Sequence, residues 1–307
     1  MQGDGDRMME WCAVDWGTSH LRVWGMSHDG TVLSRRFSET GMAALTGDGF
    51  EQALLELAGD LLGSDTTEVI ICGMAGSRHG WSEADYVAVP CTPPGIERAT
   101  RVGTKDPRLS VRILPGVKQT RPEDVLRGEE TQIAGFLSLN PKFDGVICLP
   151  GTHTKWAHIS AGEIVSFRTF MTGEIFALLS TQSVLRHAVA GDGWNTDAFA
   201  DAVSTAMSNP SDLAARLFSI RAKGLLSDLH PVHARAELSG LLIGAELAAA
   251  RPYWLGQHVA LIGDDFLCKA YGDALGAQGL PVERTDAERM TLEGLRSAYN
   301  GLKTRAT

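Results

Sequence analysis

A lone acid at the end of an apolar run, followed at once by glycine and two hydroxyls, is the first feature here that could do chemistry: "VDWGTSHLRVW", Val14 to Trp24. Aspartate is depleted in strands, so Asp15 at the end of "WCAVD" asks for a reason. Two readings compete. Gly17, Thr18 and Ser19 can form a tight strand-turn-strand hairpin that faces an anionic ligand, with Asp15 handling its metal. The same residues are also common choices for an ordinary turn. A second segment repeats the layout: "CLPGTHTKWAHISAGEIVSFRT" puts Gly151, Thr152, His153, Thr154 and Lys155 after an apolar run. Gly17 corresponds to Gly151 and Gly30 to Gly162 at nearly the same separation, which points to two related domains that each open with one β-hairpin. Two facing hairpins would clamp a phosphate chain from both sides. Glycine would permit close approach, Thr18, Ser19, Thr152 and Thr154 would add donors, and Lys155 would bring positive charge.

The elements that must carry these turns can be read from apolar spacing. Helices are expected over 50–62, 129–139, 173–188, 236–250 and 286–303. Short β-rich runs, "EVIIC" (68–72), "VRIL" (111–114), "GVICL" (145–149) and "HVALI" (258–262), read as buried strands. Alternation of the two favours an α/β fold. The most plausible joint is "NPKFD" (140–144). It gives a first domain over about 10–142, with the last helix crossing back to it, and a second over about 143–284. Gly240 and Gly244, one turn apart in "LSGLLIGAEL", are expected to pack against the helix after Glu130, whose Ala134 and Gly135 are also small.

Bulk properties narrow the class. The chain of 307 residues has 44% hydrophobic and 21% charged residues, as in ordinary globular proteins. Its net charge of −9 argues against a non-specific nucleic-acid binder. No run approaches the length of a membrane span, and the polar start "MQGDGDRMMEW", read as a frayed tail, lacks a signal peptide's apolar core. The scattered, odd-numbered cysteines, Cys12, Cys72, Cys91, Cys148 and Cys268, suit reduced thiols in the cytoplasm rather than zinc or disulfides.

Seven segments in order, "AVDWGTSHLRVW", "CGMAGSRHGW", "RGEETQIAGF", "LPGTHTKWAHI", "RTFMTGEIFALLS", "LFSIRAKGLL" and "LSGLLIGAEL", resemble the 2-dehydro-3-deoxygalactonokinase family of the actin-like ATPase and sugar kinase superfamily. The resemblance runs from about Trp11 to Leu275. It implies a two-domain actin-like (ribonuclease H-like) fold with an interdomain cleft, ATP and Mg²⁺ as cofactors, and phosphorylation of the terminal hydroxyl of a 2-dehydro-3-deoxy sugar acid in galactonate breakdown. Partners would be small molecules, with neither nucleic acid nor membrane; a homodimer is left open. An actin-like ATP hydrolase acting as a switch, or a non-catalytic sugar-acid sensor, are the alternatives on the same fold.

The resemblance also assigns roles. Asp15 becomes a magnesium- or phosphate-ordering carboxylate, and one acid suffices because Mg²⁺ keeps several waters. In "RGEETQ" an acid would take the proton from the attacking hydroxyl; Glu130 is the first candidate and Glu129 the second, while acids at a helix start are also favoured by its dipole. Thr152, the loop backbone, His153 and Lys155 would meet phosphates. "LIGDDFLCKAYGDAL" resembles the adenosine segment, with Gly263 lying against the base. The substrate carboxylate calls for an arginine fork: Arg22, Arg78 or Arg168. The backbone of "GMAGS" (Gly73, Met74, Gly76, Ser77) would hydrogen-bond substrate oxygens.

Overall fold

The computed structural model describes residues 9–306, so the "MQGDGDRM" part of the N-terminal tail lies outside the described residues. The chain divides into two compact units. One comprises the residues up to Phe143, Ser160–Ser166, and those from Ala287 on; the other comprises Asp144–Ile159 and Phe167–Asp286.

In chain order the first unit holds β1 (Trp11–Trp16), β2 (Leu21–Met26), β3 (Val32–Ser38), α1 (Gly49–Ala58), β4 (Thr67–Gly73), β5 (Tyr86–Ala88), β6 (Thr100–Val102), β7 (Leu109–Ile113), β8 (Gly116–Thr120), β9 (Glu123–Leu126) and α2 (Glu129–Leu139). The second holds β10 (Gly145–Leu149), the inner ends of β11 (Thr154–Ser160) and β12 (Glu163–Phe170), then α3 (Thr172–Thr181), α4 (Thr196–Ser208), α5 (Leu213–Leu226), α6 (Pro231–Ala249), α7 (Arg251–Trp254), β13 (Val259–Gly263), α8 (Asp265–Gly276) and β14 (Val282–Asp286). The last helix, α9 (Ala287–Ala306), belongs to the first unit.

The two main sheets share one plan. Their strand orders are β3-β2-β1-β4-β7-β6 and β12-β11-β10-β13-β14: an antiparallel hairpin beside parallel strands. Gly30 and Gly162 sit at corresponding hairpin tips with φ of +82° and +78°, a region that glycine enters without a Cβ clash. The small sheet β5-β8-β9 and strand β14 have no counterpart in the apolar runs read from sequence.

Strand periodicity decides which residues face the chemistry. Along β1, Cys12, Val14 and Trp16 face the cluster with α1, whereas Trp11 and Ala13 face the cluster with α9. Asp15 is in phase with the second set, and so are Ile70 and Cys72 of the neighbouring β4. Trp11 anchors α9 by stacking on Tyr299, with ring centres 4.3 Å apart.

The small-residue contacts differ from expectation. A Cβ on Gly135 of α2 would collide with the Met290 carbonyl of α9, and one on Gly294 with the Thr131 carbonyl. Gly240 and Gly244 of α6 instead receive α4, against Phe199, Ala202, Val203 and Ala206. The expected pairing of Gly240 and Gly244 with α2 is therefore corrected: each of the two helices has its own glycine seam with another partner.

Candidate active site

In the first unit, the ends of β1 and β4 and the start of α2 converge. Parallel pairing sets Asp15 beside Cys72 and Trp16 beside Gly73. Gly73 has φ +92°, and a Cβ there would stand 2.7 Å from the Trp16 carbonyl oxygen, so only glycine fits. The Asp15 carboxylate accepts a 2.8 Å hydrogen bond from Arg22, its cross-strand neighbour. Burial pushes the Asp15 pKa up, against the pull of Arg22. Its other oxygen has the Cys72 thiol at 3.9 Å, which leaves lone pairs free for a harder partner. That suits Mg²⁺, which takes one or two carboxylates and completes its shell with water and phosphate oxygens. Among the described residues no group of three or more His, Cys, Asp or Glu side chains could hold a metal.

Glycine opens α2 for a steric reason. Gly128 has φ +113°, and a Cβ on it would lie 3.4 Å from the Gly73 Cα. The two glutamates that follow part ways. Both carboxylate oxygens of Glu130 accept the Gly128 N–H at 2.8 Å, and the side chain is 1% exposed. Burial, then the charge of Glu129, pushes its pKa up to about 7. Glu129 is half-buried and accepts the Arg127 backbone N–H at 2.9 Å.

The first turn stands open. Thr18 and Ser19 are exposed, and a Cβ on Gly17 would meet only the His20 carbonyl at 3.6 Å. Behind the turn, Met42 and Ala43 donate their N–H groups to the carbonyls of Gly17 and Thr18. Beyond β4, Met74–Gly76 forms a single 3₁₀ turn. Arg78 is 80% exposed and pairs with Glu83 at 3.6 Å, a surface contact of about 0–1 kcal/mol that a ligand can replace. Arg22 already serves Asp15. Of the expected fork residues in this unit, Arg78 is the one held only by a weak surface pair.

In the second unit, the turn after β10 lies against the first turn of α3. Gly173 packs on the Gly151 carbonyl, Glu174 N–H donates to the Thr152 carbonyl at 2.9 Å, and the His153 ring meets the Glu174 carboxylate at 2.5 Å. Thr152 is exposed, and nothing lies within 4 Å of a Cβ built on Gly151. Neither Gly17 nor Gly151 is among the residues of positive φ, so neither turn depends on left-handed glycine backbone.

Thr154 and Lys155 fall outside the turn, because β11 has already begun. The Thr154 hydroxyl is fully buried and 3.0 Å from the Tyr271 hydroxyl. The Lys155 ammonium donates to the Thr169 hydroxyl at 2.9 Å, and the residue is 6% exposed. Both side chains are buried at the start of the strand, on its opposite faces, rather than displayed on the turn. Gly263 closes β13 against Pro150, whose carbonyl oxygen would stand 3.4 Å from an added Cβ. Beside Gly151 opens a mostly apolar cavity of about 130 Å³ lined by Phe176, Trp194, Arg235, Ile243 and Phe266. Arg168, exposed on β12, lies 5.2 Å from the Phe170 ring centre.

A family model described as 2-keto-3-deoxy-galactonokinase matches residues 15–298. The chain belongs to that family. Within it, the chain is 40% identical over 299 residues to a probable 2-dehydro-3-deoxygalactonokinase of Rhizobium meliloti, covering 95% of this chain and 97% of that one. It is 35% identical over 289 residues to the 2-dehydro-3-deoxygalactonokinase of Escherichia coli, covering 93% and 96%. A crystal structure of a Sinorhizobium meliloti protein carrying the same kinase name superposes with TM-score 0.87 at 39% identity, over 95% and 99% of the chains. The fold of this 2-keto-3-deoxy-galactonokinase family member is thus the α/β type of that structure.

Some of the residues around these sites were not singled out from sequence. Arg127, inside the quoted "RGEETQ", stacks on Tyr86 at 4.0 Å and bonds the Tyr86 hydroxyl and the Ala84 carbonyl. Its Nη1 and the Ser77 Oγ are buried without a hydrogen-bond partner. The aromatic lining, Trp194 with Phe266 at 4.9 Å, comes from segments far apart in the chain, so no local spacing signals it. Among the described residues, no helix is long and apolar enough to cross a membrane.

Proposed function

We propose that this protein transfers the γ-phosphoryl group of ATP to the terminal (6-) hydroxyl of a 2-dehydro-3-deoxy sugar acid, 2-dehydro-3-deoxy-D-galactonate first among them, in galactonate catabolism. Membership of the kinase family is the observation that carries the reading. The convergence of Asp15 and the α2 glutamates supports it with a carboxylate for the metal and one for the proton.

In the step itself, the substrate oxygen attacks the γ-phosphorus. The new O–P bond forms as the bond to the bridging β,γ-oxygen breaks, and that oxygen leaves with the electron pair on ADP. Glu129 takes the hydroxyl proton. It is the better placed of the two glutamates, because Glu130 is buried and its oxygens both face Gly128 N–H. Glu130 then sets the geometry of the helix start. The Asp15 carboxylate would hold Mg²⁺, which neutralises phosphate charge when bound. Thr18, Ser19 and Thr152 offer exposed hydroxyls to phosphate oxygens. In each unit the open face of the turn glycine, Gly17 or Gly151, would let a phosphate oxygen approach the backbone.

Arg78 takes the substrate carboxylate, leaving its weak surface pair with Glu83. The Ser77 hydroxyl gives a substrate oxygen the bond it lacks in the protein. The aromatic cavity beside Gly151 takes the adenine ring, with Gly263 on its border with Pro150.

The test is ADP release measured across 2-keto-3-deoxy acids and the matching neutral sugars. Turnover confined to the acids supports the reading. Turnover on neutral sugars alone removes the arginine argument, and ADP release independent of any acceptor makes the chain a hydrolase.

A further inference from the structure

Glu246 has no part in the roles above, yet it is one of the most connected polar side chains of the second unit. It lies on α6, 3% exposed. One carboxylate oxygen accepts the Trp156 indole N–H of β11 at 2.8 Å. The other accepts the Tyr271 hydroxyl of α8 at 2.8 Å and the Thr172 hydroxyl of α3. Tyr271 is tied in turn to Thr154 at the start of β11. One carboxylate therefore fastens three elements, and each of them borders the turn after β10.

Thr172 matters most. It is the first residue of α3, the next residue, Gly173, packs on the Gly151 carbonyl, and Glu174 N–H bonds the Thr152 carbonyl. Thr172 and Tyr271 also line the aromatic cavity. A displacement of Thr172 would thus pass directly into the Gly151–Thr152 backbone and the cavity wall.

We propose that Glu246 is a positioning residue for the nucleotide: through Thr172 and Tyr271 it holds the start of α3 and the wall of the aromatic cavity in the arrangement that receives ATP. The inference rests on the kinase reading for its ligand, and adds a residue that touches neither substrate nor the reacting atoms. Glu246 would set nucleotide affinity without setting affinity for the sugar acid.

The experiment uses the full chain and the variants Thr172→Val, Tyr271→Phe, Glu246→Gln and Glu246→Leu. ADP binding is followed by calorimetry, KM for ATP and for the acid by turnover, and folding by melting temperature. Thr172→Val removes one hydroxyl and keeps the side-chain shape, so it tests the link even where Glu246→Leu fails to fold. The expected result is an ADP Kd and ATP KM about tenfold higher in Thr172→Val, with the acid KM within about twofold, since one hydrogen bond to a buried carboxyl group is lost. Glu246→Gln, which can still accept from Trp156 and bond both hydroxyls, is expected to retain most of the nucleotide affinity. Unchanged nucleotide affinity in Thr172→Val and Tyr271→Phe, or an equal rise in both KM values, would overturn the inference. A wild-type chain that binds ADP but phosphorylates no acid would break the functional reading alone, and calorimetry would still decide the role of Glu246. A wild-type chain that binds no ADP would end both.

Discussion

Both carboxylate oxygens of Glu130 share the backbone N–H of Gly128 at 2.8 Å, so this glutamate caps its own helix from within. Its neighbour Glu129 keeps partial exposure one residue earlier. The two variants should therefore behave differently. Glu129→Gln is expected to lower kcat on the order of 100-fold or more, the usual scale for a general base, with ATP affinity unchanged. Glu130→Gln should retain measurable turnover, because an amide oxygen can still accept the Gly128 N–H. Single-turnover phosphoryl transfer by the two variants decides the matter; the reverse ranking would return the proton to Glu130.

Gly151 offers a second dissociation between stability and function. Its backbone is outside the left-handed region and a Cβ would touch nothing in the protein. Gly151→Ala should fold at least as well as the parent, since a compatible Gly→Ala change gains about 0.4–1 kcal/mol. Its KM for ATP should rise about tenfold or more, because the methyl group occupies the face offered to phosphate. An unaltered KM would mean that phosphate approaches elsewhere.

Ser77 makes a similar test on the acid side. Its buried hydroxyl lacks a partner in the protein, so Ser77→Ala removes a liability rather than a bond. The expected variant melts no lower than wild type, while its KM for the sugar acid rises about fivefold, the scale of one net hydrogen bond of about 1 kcal/mol. A lower melting temperature with unchanged KM would assign the hydroxyl to the fold.

The two buried glutamates also set a pH signature. Glu130 and Glu246 are each pushed up from 4.5 to about 7, chiefly by burial. The folded chain then keeps protons that the unfolded chain releases between those values, so their contribution to stability falls as pH rises from 4.5 to about 7 and levels off above it. Glu246→Gln should flatten part of that slope in urea titrations run across this range. A slope identical to wild type would show that Glu246 titrates near its ordinary value.

Much of the frame is legible in the sequence. "GVICL" and "HVALI" are apolar without alternation because β10 and β13 are buried on both faces. The repeated hairpins were visible because strand, Gly-Thr turn and tip glycine leave a fixed local order. What escaped was direction and partner. Thr154 and Lys155 look like turn residues in "GTHTK", yet β11 starts at Thr154 and both of its faces are covered there, so both side chains are buried. Gly240 and Gly244 announce a close helix contact, but spacing names the face and not the helix that meets it; α4 fills it. Nothing local marks Glu246, because Trp156, Thr172 and Tyr271 reach it from three other elements.

The most direct measurement is phosphorus NMR of the product formed from ATP and 2-dehydro-3-deoxy-D-galactonate. The account predicts one new phosphate ester coupled to the two protons of the terminal carbon, formed in equal amount with ADP. Inorganic phosphate alone, or an ester on another carbon, would contradict it.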